Sequence, residues 1–174
     1  MVRVSADALP IEHLLDRLDK PPIRVARTAV YMTSNPGTVP RSLLHNLKHN
    51  LVLHKRVIFM KSGAVEEPRL ADSQRIAVAR LGKGFHTVSV RYGYMEEPDV
   101  PAALQACRRF GLAVDPMEVS YFLNQETLVA SKKPDLPRWR EPLFITLNAI
   151  AGDGFMFFKM PPGQVVELGT QIDI

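Results

Sequence analysis

Apolar positions along the chain fall into two rhythms, one helical and one of strands. Ile11, Leu14, Leu15 and Leu18 recur at the spacing of one helix face, so residues 7–19 are expected to form a helix. Asp7 is its expected N-cap, because a carboxylate can accept from the free amides of the first turn, and Pro21-Pro22 ends it. Residues 28–33 read as a strand and Ser34-Asn35-Pro36-Gly37 as a turn. Leu43, Leu44, Leu47 and Leu51 then form one face of a helix over 39–50. Val57-Ile58-Phe59-Met60 is apolar without a break, as in a strand covered on both sides. Strand, helix and strand in that order predict a parallel crossover.

Residues 62–73 are polar and acidic and are expected to form an exposed loop. Two strand-like runs, 74–81 and 85–92, flank Gly82-Lys83-Gly84, where glycine tolerates positive φ; a hairpin is predicted. Asp99 is expected to cap a helix running to Phe110, with Ala103, Leu104, Cys107 and Phe110 on its apolar stripe and Gly111 as terminator. A strand over 117–123 completes a second crossover. Residues 126–130 read as a short strand or part of a hairpin, 136–158 as a longer helical region, and 164–174 as a final strand with a bend at Gly169. The expected fold is α/β: a single mixed-sheet domain over 1–174 with parallel βαβ crossovers plus an antiparallel hairpin, in which 1–24 is an N-terminal helix and linker.

Composition narrows this little. Hydrophobic residues make up 46% of the 174 and charged residues 23%, which is globular usage and argues against a disordered chain. The net charge of +4 is mild and its basic residues fall in short clusters, which permits contact with an acidic lipid surface or a nucleic acid and establishes neither. The single Cys107 excludes an internal disulfide and a cysteine-based zinc site, and fits a reducing cytoplasm. The N-terminus lacks the apolar core of a secretory signal. No stretch supplies the ~20 apolar residues of a membrane helix. The nearest approach, 143–160, is broken by Asn148 and Gly152-Asp153-Gly154.

Several residues invite a chemical reading, each beside a plainer one. His45 and His49 stand four apart on a predicted helix, where both rings could face one metal, with His54 as a third ligand. Ordinary polar imidazoles at a helix–strand junction are the alternative. Glu96, Glu97 and Asp99 lie where a strand passes into a helix, a common ligand site in α/β sheets and a place for paired acid–base work. Helix capping by Asp99 and the pull of the helix's positive end on the glutamates explain them more simply. Gly82-Lys83-Gly84 leads into a strand, so it is a turn and not a phosphate loop. Cys107 sits on an apolar stripe, as a core residue would. Trp139 between Arg138 and Arg140 suits a helix anchor, a stacked base or a lipid interface. No nucleophile–base pair stands out, so no catalytic, cofactor or metal residue is assigned and no enzyme is expected. No nucleic-acid signature is present, and no such partner is expected.

Longer blocks carry more information. Leu43-Leu44-His45-Asn46-Leu47-Lys48-His49-Asn50 with Val52-Leu53-His54 resembles a block of the KUP/HAK/KT potassium transporter family. So does Arg91-Tyr92-Gly93-Tyr94-Met95-Glu96-Glu97-Pro98-Asp99-Val100-Pro101. Cys107-Arg108-Arg109-Phe110-Gly111, Asp115-Pro116-Met117-Glu118, Pro137-Arg138-Trp139-Arg140-Glu141 and the segment 165–174 follow in the family's order. The resemblance runs from about Pro10 to the last residue. Two positions depart from it: Ala26-Arg27 stands where the family often has Pro-Gly, and Lys55 where an acidic residue is common.

The resemblance implies the C-terminal cytoplasmic domain of a proton-coupled potassium transporter. The family's ion-binding residues lie in membrane helices, so none transfers to this chain. It further implies a regulatory or assembly role without ion conduction, at the cytoplasmic face of the membrane. The implied partner is a membrane-spanning KUP-type potassium transporter, or the chain's own lost membrane domain. A homodimer and an anionic lipid surface are further partners this reading allows. Because the sequence opens on Met1, a split or truncated gene or a separately made subunit is expected. A nucleotide sensor and a functionless relic are the alternatives.

Overall fold

A computed structural model describes residues 9–18, 23–129 and 158–173. The elements are α1 (Ile11–Arg17), β1 (Ile23–Met32), α2 (Arg41–Asn50), β2 (Val52–Val65), the single turn α3 (Asp72–Arg75), β3 (Ile76–Gly82), β4 (Phe85–Gly93), α4 (Val100–Ala106), β5 (Val119–Val129) and β6 (Val165–Asp173). The strands form one sheet in the order β3-β4-β2-β1-β5-β6. All neighbouring pairs are parallel except β3 with β4. The expected α/β mixed sheet is therefore present, with its hairpin at one edge.

Both faces of the sheet are covered, which is why the central strands read as unbroken apolar runs. Val57 and Phe59 point to one face, where they meet Leu43 of α2 and Ile11 and Leu14 of α1. Ile58 and Met60 point to the other, against Val100, Ala103, Leu104 and Cys107. The β1–α2–β2 crossover and the β4–α4–β5 crossover travel in opposite directions along the sheet and lie on opposite faces. They therefore share one hand, as the chirality rule for parallel crossovers requires.

The local chemistry explains most boundaries. Leu51 closes α2 in the left-handed region at φ 54°, and Gly111 does the same at φ 80° after a 3₁₀ turn (Cys107–Phe110) that extends α4. Gly82, Lys83 and Gly84 all have positive φ and make the hairpin. Asp99 caps α4 as expected, its Oδ1 accepting from the Ala102 amide at 2.8 Å.

Other expectations need correction. The first helix begins at Ile11, not Asp7: Leu9 and Pro10 are extended and paired with 37–39, through Val39 N to Leu9 O at 2.9 Å and a bridge to Thr38. A residue before proline avoids helical backbone, so Leu9 is a natural boundary. β2 does not stop near Met60 but runs to Val65, because β4 offers a partner as far as Gly93. The 62–73 loop shrinks accordingly, and its end is the α3 turn, so β3 starts at Ile76. The stretches read as 117–123 and 126–130 are one strand, β5, held along its length by β6. That pairing passes Gly169 without a register shift. β1 starts earlier than expected, at Ile23, and its register with β2 shifts between Val25 and Thr28, at Ala26-Arg27. The helical region expected over 136–158, with Trp139, lies outside the described residues apart from Phe158, which is in a turn.

Candidate functional site

The densest set of polar interactions is at the carboxyl end of β4, in the segment Gly93–Asp99. Glu96 turns back under the strand it follows. Its Oε1 accepts from Arg75 Nη2 at 2.7 Å; its Oε2 accepts from Arg75 Nη1 at 3.1 Å, from the Gly93 amide at 2.7 Å and from the Leu70 amide at 3.4 Å. Arg75 also donates to the Leu70 carbonyl at 3.0 Å and lies over the Tyr92 ring. A two-pronged guanidinium–carboxylate pair of this kind fixes orientation as well as charge. The Arg75 bonds, then the Gly93 amide, pull the Glu96 carboxyl down to about 2. Near neutrality it is ionised and both its oxygens are occupied, so it has no proton to exchange.

The neighbouring acids have separate duties. Glu97 is exposed and pairs with Lys159 at 2.8 Å. Asp99 caps α4, and its backbone brackets the Tyr92 hydroxyl, which donates to the Asp99 carbonyl at 2.9 Å and accepts from its amide at 3.2 Å. Glu96 and Asp99 therefore form a structural clasp joining β4, the 66–71 loop and α4, and Glu97 ties the same segment to Lys159. Asp99 also fills the α4 N-terminus, where an anionic ligand would otherwise find free amides. Sequence reasoning singled out the acids but missed Arg75, which is 21 residues away and carries no local signal.

The histidines separate. His45 and His49 stack on the exposed side of α2 with ring centroids 4.3 Å apart. His54, on β2, instead meets the Phe122 ring edge-on. Among the described residues, no group of three or more His, Cys, Asp or Glu could hold a metal ion. What binds the motif together is Asn46, buried, which donates to the Val52 carbonyl at 3.2 Å and accepts from Asn50 at 2.7 Å. That link fastens the end of α2 to the start of β2. Cys107 is fully buried; its thiol donates to the Ala103 carbonyl at 3.2 Å, and burial pushes it up to about 11. It has the surroundings of a core residue, not of a nucleophile.

His54 and His86 have a measurable consequence. Each has a buried Nδ1 without a hydrogen-bond partner. Burial, then Arg27, lowers the pKa of His54; burial, then Arg56, does the same for His86, with Arg80 adding and a Gly84 backbone bond opposing. Both folded values lie below the unfolded one, so the unfolded chain binds more protons as pH falls. Stability is therefore expected to be full above about pH 6.5 and to decline as pH drops through the folded values. Thermal unfolding at pH 7.5 and pH 5.5 checks this: the midpoint falls at the lower pH, and falls less in a His54→Gln, His86→Gln chain. A midpoint unchanged between those two pH values would contradict the assignment.

Comparison with known proteins supplies the remaining context. A family model described as "K+ potassium transporter C-terminal domain" matches residues 26–174. The "Probable potassium transport system protein Kup 1" of Paramagnetospirillum magneticum is 43% identical over 174 residues, covering 99% of this chain and 27% of that protein. The Kup protein of Aromatoleum aromaticum is 44% identical over 173 residues, with the same coverages. That of Myxococcus xanthus is 42% identical over 173 residues, covering 99% of this chain and 26% of its own length. The chain thus spans about a quarter of the length of these curated relatives. No solved structure matches.

Proposed function

Because the chain belongs to the K+ potassium transporter C-terminal domain family, we propose that it is a non-conducting regulatory domain of a proton-coupled potassium transporter, working at the cytoplasmic face of the membrane. The observation that carries this reading is the match of residues 26–174 to the C-terminal part of proteins about four times longer. Two further observations support it. Among the described residues, no helix is long and apolar enough to cross a membrane. The motif with the most polar chemistry, around Glu96, spends that chemistry on holding the fold together.

Such a domain acts by binding one conformational state of the membrane-spanning part more tightly than another; equal affinity for both would shift nothing. The alternative of a nucleotide sensor has less support, since Asp99 occupies the α4 N-terminus and Glu66, Glu67, Glu96 and Glu97 surround the strand ends where an anion would bind.

Uptake in cells stripped of their own potassium transporters tests the proposal. Expressed alone, the chain is expected to leave growth at low potassium unrescued. Expressed with the membrane-spanning part of a Kup relative, it is expected to co-purify with that part and to change its uptake rate. Rescue by the chain alone, or no co-purification, would overturn the proposal.

A further inference from the structure

The two ends of the sheet differ in the balance of their ionic side chains. The separation is partial: Arg75 and Lys159 pair with acids at one end, where exposed Tyr94 and Met95 also lie, and Asp115 and Glu118 stand near the bases of the other. Glu66, Glu67, Asp72, Glu96, Glu97 and Asp99 gather where β2 and β4 finish or where the chain leaves them. The opposite end, where the parallel strands start, carries Arg24, Arg27, Lys55, Arg56 and Lys83, with Lys48 on the last turn of α2. It also carries Ile23, Leu51, Leu81, Phe110 and Met117, five of the large hydrophobic side chains left exposed.

The shape of this end matters as much as its charge. β5 joins β1 only from Thr28, and β4 joins β2 only from Val57. Gly84 lies against the Lys55 carbonyl and Arg27 reaches the Met117 carbonyl, so residues 23–25 and 52–54 extend past both neighbours by about 10 Å. Arg24 stiffens the overhang: its guanidinium donates to the His54 carbonyl and the Lys83 carbonyl, each at 3.0 Å, and lies over the Phe85 ring. Lys83 in turn donates to the Leu15 carbonyl at 2.7 Å. At the tip, Ile23 pairs with Val52, next to Leu51. Ile23 is 74% exposed and Leu51 69%, although both are aliphatic.

We propose that this overhang docks the chain on a bilayer leaflet bearing anionic phospholipids. Ile23 and Leu51 enter the boundary between headgroups and acyl chains, and Lys48 and Lys55 stand behind them at the level of the lipid phosphates. Aliphatic tips with lysines set back from them suit a lipid interface, because a lysine stem lies along apolar surface while its ammonium reaches the headgroups. At the tip itself a protein partner fits less well. Protein interfaces are broad and favour aromatic and Arg anchors over Lys, whereas the tip presents Ile23 and Leu51 with Lys48 and Lys55, and Arg24 is turned inward to the His54 and Lys83 carbonyls. The docking goes beyond the transporter reading. It belongs to this end of the sheet and is measured without any transporter.

Co-sedimentation of the whole chain with vesicles tests it. With phosphatidylcholine vesicles alone, binding is expected to be absent. With phosphatidylglycerol added, it is expected to appear and to weaken as salt rises. Each lysine near an anionic surface contributes enough that the Lys48→Glu, Lys55→Glu chain, which loses two attractions and gains two repulsions, is expected to bind at least about thirty-fold more weakly. Leu51→Asn keeps a residue that tolerates the left-handed backbone while removing the apolar tip, so it separates lost binding from lost folding. It too is expected to weaken binding, with its thermal midpoint retained. Arg69→Glu, at the opposite end, is expected to change nothing. Equal binding to neutral vesicles, no binding to anionic ones, or an Arg69→Glu loss as large as that of the lysine pair would overturn the proposal. So would a self-association of the chain that Leu51→Asn abolishes, since the tip would then meet a second copy. Failure here leaves the uptake experiment unaffected, and failure there leaves the vesicle result standing.

Discussion

A Gly93→Ala chain is expected to lose about 2–3 kcal/mol of folding stability, a large cost for one methyl group. Gly93 ends β4 against the 66–71 loop. A Cβ there would run into the Pro68 carbonyl and come within 2.7 Å of the Arg69 Cα. Both are backbone atoms, so no rotamer change gives way. Nor can the loop swing aside freely. Its Glu67 carbonyl accepts from the Tyr94 amide at 3.0 Å and its Pro68 carbonyl from the Met95 amide at 3.1 Å. Moving Gly93 instead would pull its amide from Glu96. Gly63, on β2, is the control, because a Cβ there meets nothing within 4 Å. Gly63→Ala is expected to stay within about 1 kcal/mol of the parent. Denaturant titration measures both: a lower midpoint at unchanged slope for Gly93→Ala, and near-coincidence for Gly63→Ala. Equal midpoints for the two variants would show that the close approach at Gly93 is not tight.

Phe59→Ala is expected to cost about 3–5 kcal/mol, enough to leave much of the chain unfolded at physiological temperature. Phe59 is fully buried on β2, with ring centroids 6.4 Å from Tyr31 and 5.9 Å from Phe85. Both neighbours are anchored on paired strands, so they cannot close the gap left by the ring. The lost transfer energy and the residual cavity therefore add. Phe59→Leu keeps most of the volume and is expected to cost less than half as much. Thermal and denaturant unfolding of the pair give the comparison. A Phe59→Leu chain as unstable as Phe59→Ala would mean that ring contacts, rather than volume, set the cost.

The parts of this fold that were legible in the sequence are those whose cause is local. The unbroken run 57–60 announced a strand covered on both faces. Gly82-Lys83-Gly84 announced a turn that needs positive φ, and Asp99 and Gly111 announced the two ends of one helical segment. What stayed hidden depends on partners distant in the chain. β2 is long because β4 is long, and β5 is continuous because β6 lies beside it. Neither fact is written in Ser62-Gly63-Ala64-Val65, or in Asn124-Gln125, which part the two runs read as 117–123 and 126–130. At the site, the duty of Asp99 as a helix cap was visible, whereas Glu96 and Glu97 were visible as types only. Only the fold brings Arg75 up to Glu96 and Lys159 up to Glu97. The three histidines, weighed as metal ligands but not assigned as such, are likewise parted by the fold: His54 turns to Phe122 while His45 and His49 lie beside each other.

The way residues 9 and 10 enter the fold has a mechanical meaning. They are stitched to residues 37–39, just beyond the end of β1, by backbone bonds that run from Val39 to Leu9 and from Ile11 to Gly37. Tension applied through residue 9 would reach the middle of the sheet through these two bonds, without first unwinding α1.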